Sequence, residues 1–135
     1  MYNLHILNNI LRCIYFDFVN KLKIEKIMTV TEKYLQIVLK YYIAQYPNQE
    51  YERKLIKGLW GYSMPCPFCS QMCDTEFGMN RKVAYFIPQK DSYKWYFNCN
   101  RSRSPECRRS SSFPNFLAML NPDLFRKFQK EAFNI

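Results

Sequence analysis

Cys66-Pro67-Phe68-Cys69, with Cys99 thirty residues after Cys69 and Cys107 beyond it, constrains this chain more than any other feature. A Cys-x2-Cys turn sets two thiols side by side with backbone N–H groups facing the sulfurs, which is half of a tetrahedral metal site. Between Cys69 and Cys107 lie two runs rich in β-branched and aromatic residues, 82–88 (KVAYFIP) and 93–99 (YKWYFNC), separated by the polar QKDS. That pattern predicts an antiparallel hairpin that carries the chain away and returns it at Cys99. The second pair is looser than the first, because seven residues separate Cys99 from Cys107. Added loop length costs little closure entropy, so Cys107 still completes the set.

The expected ligands are therefore Cys66, Cys69, Cys99 and Cys107 around one structural Zn²⁺, in the layout of a zinc ribbon. Four protein ligands close the coordination sphere, so the ion holds structure and does not activate water. Cys73 is the alternative to Cys107. Cys13 falls on the apolar side of a helix and is expected in the core, while His5, the only imidazole, reads as a surface or packing residue. This reading needs a reducing compartment. Asn8, Asn9, Arg12 and Asp17 break up the N-terminal stretch, no small-residue cleavage site follows, and no uncharged apolar run reaches the ~20 residues of a membrane span. The expectation is a cytoplasmic protein, not secreted, with no membrane partner.

The first half reads as helical. Leu4, Leu7, Leu11, Ile14, Phe18 and Leu22 recur at steps of three and four and predict one packing face. A second helix is expected near Thr29, capped by its hydroxyl and by Glu32, with Leu35, Val38, Leu39, Tyr42, Ile43 and Tyr46 inward and Pro47 as its stop. Met28 precedes that helix, leaving residues 1–27 open as an upstream extension. A short third helix is expected from Asn48 to Gly58. At the other end, Ser112 caps a helix carrying Phe116, Leu117 and Leu120. Asn121-Pro122-Asp123 opens a last one with Leu124, Phe125, Phe128 and Ala132 inward. The fold class is α+β: a helical N-terminal region over 1–60, then a four-cysteine ribbon domain over 61–135 with two short C-terminal helices.

Charge sits unevenly on this frame. Lys and Arg number 20 against 11 Asp and Glu, and two thirds of the net +9 falls in residues 81–109, on the hairpin and its exit loop. Four thiolates around one Zn²⁺ carry −2, which offsets part of it. Cations and rings interleave there: Arg81, Lys82, Tyr85, Lys94 and Tyr96, then Arg101, Arg103, Arg108 and Arg109. Rings that stack on bases beside cations that meet phosphates are the components of single-strand binding. Strand alternation assigns Trp95 and Phe97 to the core side and Lys94 and Tyr96 to the other. Catalysis has little to draw on. Asp74 and Glu76 are the only close acidic pair in the ribbon half, and three glycines leave little room for a phosphate-cradling loop.

The segment from Pro65 to about Phe133 resembles the N-terminal zinc-binding domain of DNA primases of the bacterial and tailed-phage type. The matching elements are CPFC at 66–69, WYFNC ending at Cys99, SSFPNFL at 111–117 and NPDLFRKFQ from Asn121. The resemblance implies ligand roles for Cys66, Cys69, Cys99 and Cys107. It also implies contact of the hairpin with a single-stranded DNA template, in replication, beside a separate catalytic primase subunit or a replicative helicase. Phage members commonly close the site with a second Cys-x2-Cys, which Asn100 to Glu106 interrupt here. FNCNRSRSPEC is similar to the C-terminal zinc ribbons of type I topoisomerases, which also bind single strands. The reading from a different class is a protein-interaction module of phage or mobile-element origin.

Overall fold

No glycine or proline interrupts the first 46 residues, so nothing in the backbone chemistry forces a break there. A computed structural model describes residues 4–43, 50–70, 81–90, 92–107 and 110–134. The two helices expected at the start are one: α1 runs from Leu4 to Val38 and widens into a π-helical turn over Leu39–Ile43. Thr29 is not a cap. Its hydroxyl donates to the Glu25 carbonyl at 2.9 Å, and that of Thr31 donates to Ile27 at 2.6 Å, bonds that both residues make inside a continuing helix. Only the end of α1 enters the core, through Thr31, Tyr34, Leu35 and Val38, followed by Leu39 and Ile43. The stripe expected to pack, from Leu4 to Leu22, stands in solvent, and so does Cys13. No described helix is long and apolar enough to cross a membrane.

The helix expected over 48–58 is instead a strand and a turn. β1 (Glu52–Ile56) and β2 (Leu59–Met64) pair antiparallel about Lys57-Gly58, with φ of 51° and 81°. Positive φ at both central residues is the two-residue hairpin turn whose twist matches the strands, and glycine enters it without penalty. Arg53 lies 4.8 Å from the Trp60 ring, a pairing across strands that a helix would not make. β3 (Ala84–Pro88) and β4 (Trp95–Cys99) form the expected hairpin. β5 (Ser111–Ser112) adds to β4 where a loop was expected, so all five strands run in chain order as one antiparallel sheet. Gly61 lets β2 lie close against β3: a Cβ there would lie 2.3 Å from the Phe86 carbonyl oxygen.

One sheet face carries the core. Register places Met64, Ala84, Phe86, Phe97 and Cys99 together, and α2 (Phe113–Leu120) lays Phe113, Phe116 and Leu117 on them. Phe116 sits with ring centroids 4.9 Å from Phe86 and 4.7 Å from Phe97. Ser112 caps α2 by accepting from the Asn115 N–H. Asn121 ends that helix and caps α3 (Pro122–Phe133) by accepting from Asp123 and Leu124. α3 returns Phe128 against Tyr34 of α1, edge-on at 5.5 Å, and so joins the end of the long helix to the sheet.

Candidate metal centre

Cys66 and Cys69 sit on the turn that follows β2, Cys99 ends β4, and Cys107 closes a short 3-10 turn over Pro105–Cys107. The hairpin β3–β4 returns Cys99 beside the first turn because Ala84 pairs with both Met64 and Cys99. All four cysteines are buried, and their sulfurs lie within 4.8 Å of one another, with Cys69 and Cys99 at 3.6 Å. A metal–thiolate bond of about 2.3 Å implies tetrahedral sulfur–sulfur edges of about 3.8 Å. The cluster is therefore the right size for one ion held by four sulfurs. Phe68, between the first two cysteines, ties the turn to the core through Phe97 at 5.8 Å and Phe116 at 5.5 Å.

The second half of the site explains the long spacing. Cys66 Sγ accepts from the Cys69 N–H at 3.5 Å, and Cys99 Sγ accepts from the Ser102 N–H at 3.4 Å, three residues on in each case. Ser102 thus stands where a second Cys-x2-Cys would hold its cysteine. It takes φ of 48°, and its hydroxyl donates to the Cys99 carbonyl at 2.7 Å. Five residues later Cys107 enters, with buried Ser104 donating to its sulfur at 3.4 Å. The turn geometry is preserved and the fourth cysteine arrives from beyond it.

Without a cation this pocket resists ionisation. Burial pushes the Cys66 thiol far up and the Cys69 thiol from 9.0 to about 11; the neighbouring Cys99 adds to both, while the hydrogen bond with Cys66 pulls Cys69 part of the way back. Burial acts upward on Cys107 too, but its hydrogen bonds with Ser104 and with the Cys99 and Cys69 thiols outweigh it and hold that thiol below its ordinary value. A divalent cation is what allows four buried sulfurs to be thiolates together.

The basic residues do not gather as tightly. Tyr85 and Tyr96 fall on the sheet face opposite Phe86 and Phe97, half-buried and outside the core. Lys82 and Tyr85 border a shallow depression of 440 Å³ on that face. Lys54 and Lys57 border it as well, two cations the sequence had placed on a helix; the Lys57-Gly58 pair was the available signal for a turn. Lys82 also reaches Glu52 at 3.5 Å, and Arg81 beside it is exposed. Lys94 and Tyr96 border a separate apolar pocket of 260 Å³ with Trp95, Phe113 and Phe128. Phe97 is fully buried as expected, and Trp95 is half-buried, stacked on Tyr62 at 6.1 Å. Arg101 and Arg103 lie on the loop between Cys99 and Cys107, Arg103 exposed and Arg101 half-buried. Arg108, Arg109, Cys73, Asp74 and Glu76 lie outside the described residues.

Compared with models of known families, with curated proteins and with solved structures, the chain matches none.

Proposed function

We propose that the chain is a zinc-dependent single-stranded DNA-binding module, a ribbon of the kind that reads template for DNA primases, acting in replication with a separate catalytic subunit. The metal is Zn²⁺, since four thiolates in a tetrahedron are its preferred structural set. Closed coordination makes the module a binder and not an enzyme. The observation that carries the reading is the sheet face opposite the core, where Tyr85 stands among Lys54, Lys57 and Lys82 and Tyr96 follows on the neighbouring strand beside Lys94. Rings on a strand accept stacked bases without regard to sequence, and lysines around them follow the phosphates. Arg101 and Arg103 extend the basic surface along the metal loop, and Arg108 and Arg109 follow them in sequence.

Anisotropy of a labelled oligothymidylate, read across a salt series, tests this. Affinity should fall steeply with rising salt. Tyr85→Ala or Tyr96→Ala should weaken it about 5- to 100-fold, the range of one lost stacking partner. Lys82→Ala should reduce the salt slope by about one. Binding that ignores salt, or that survives both tyrosine changes, sinks the proposal.

A further inference from the structure

The first 25 or so residues of α1 keep a large apolar surface in water, and its densest stripe faces away from the side of the helix that enters the chain's own core. At about 100° per residue, Leu7, Leu11, Ile14, Tyr15, Phe18 and Leu22 share one face, rotated by about 160° from the face that buries Tyr34, Leu35 and Val38. Those six side chains are 46% to 70% exposed. The helix is continuous, so this face cannot turn inward without a break near its middle.

We propose that this face pairs with the same face of a second copy of the chain, as an antiparallel helical dimer. Steps of three and four are the spacing of a helix–helix seam. A two-fold axis passing between Ile14 and Tyr15 sets Leu7 against Leu22, Leu11 against Phe18 and Ile14 against Tyr15, so each of these six meets an apolar partner, while Leu4, on the same face, falls at the end of the seam opposite Glu25. At about 80 Å² of apolar surface still in water per side chain, the six from each copy cover about 1,000 Å² in all, the lower bound for a specific interface before the flanking residues of the seam are added. Charge selects the direction. Residues 4–20 hold one Arg and one Asp, so the net +9 lies wholly beyond them. Antiparallel pairing sends the two basic bodies to opposite ends of the seam, whereas parallel pairing would set them side by side.

Light scattering on the full chain, loaded with zinc, is the test. The expected mass is about 33 kDa, twice the 16.4 kDa of one chain. Leu11→Asp with Phe18→Asp should halve that mass and leave one metal per chain, since neither side chain supports the core. Asn9→Asp, on the far side of the same helix, should keep the dimer. A wild-type monomer at tens of micromolar overturns the proposal, and so does a dimer that survives Leu11→Asp with Phe18→Asp. Wild-type monomers that sediment with phosphatidylglycerol vesicles overturn it in favour of a lipid surface. Because none of these readouts involves DNA, the dimer and the DNA-binding reading stand or fall separately.

Discussion

The arm of α1 before Thr31 and the body after it are built from similar residues and end in opposite places. Both carry Leu, Ile, Phe and Tyr at helical spacing. In the body, Leu35, Val38 and Leu39 are at most 1% exposed; in the arm, Leu11, Ile14 and Phe18 are 56% to 60% exposed. What differs is the material available to pack against. The body has a sheet face, two further helices and a four-cysteine cluster that brings distant segments to one point. The arm meets them near its end, where Lys26 donates to Asn134 and Val30 packs on the core, while the stripe ahead of these residues stays in water. An apolar stripe states that a helix wants a partner, and it leaves open whether the partner lies in the same chain.

Breaking the metal centre should separate the two regions most sharply. Chelation, or Cys99→Ser, should abolish cooperative melting of the body, because the binding free energy of a four-thiolate site is folding free energy, and should leave the helical signal of the arm largely in place. Phe97→Ala should cost about 3–5 kcal/mol of stability in a denaturant melt. Phe16→Ala, in the arm and off the dimer stripe, should cost at most about 0.5 kcal/mol. If the two changes cost the same, the arm is not the solvent-facing element described above. Asn121→Ala should be intermediate, at about 1 kcal/mol, since one side chain caps α3 and also donates to the Tyr42 hydroxyl at 2.7 Å. The smallest effect belongs to Lys33–Glu131, an exposed pair that joins α1 to α3 at 2.9 Å; Glu131→Gln, which keeps an acceptor for the Tyr34 hydroxyl, should leave the melting temperature nearly unchanged.

Acid should act on the body alone. In the loaded site the thiolates carry no proton, while in the metal-free unfolded chain thiols of ordinary pKa 9.0 are protonated at neutral pH. Unfolding therefore takes up protons, and stability falls as pH falls. Burial raises the Cys66 and Cys69 thiols in the folded metal-free site, so protons compete with the ion more strongly there than at exposed thiols. Metal release read with a chromogenic chelator should follow acidification together with loss of body structure. Release that grows as pH rises would contradict this.

Much of the site was legible because its constraints are local. Cys66-x2-Cys69 is a turn that encodes its own geometry, the hairpin from Ala84 to Cys99 announces itself by alternation and a polar turn, and Ser112 and Asn121 cap helices through their own side chains. Errors came where a local signal had two tertiary outcomes. Residues 51–56 are short enough to suit either helix or strand, and the pairing of Arg53 with Tyr62 across the Lys57-Gly58 turn decided for strand. Thr29 has the chemistry of a cap, yet the helix before it needed no start there.

By itself the sequence determined the α+β class, the two C-terminal helices and the four cysteines able to meet, since each rests on side chains close in sequence or on one predictable hairpin. Only the tertiary structure decided that Ser102 occupies the place of a missing cysteine, that Lys54 and Lys57 join Tyr85 on one sheet face, and that the first apolar stripe faces water. Those outcomes depend on which distant surfaces come within reach. Periodicity along a chain records a preference for burial and carries no information about what does the burying.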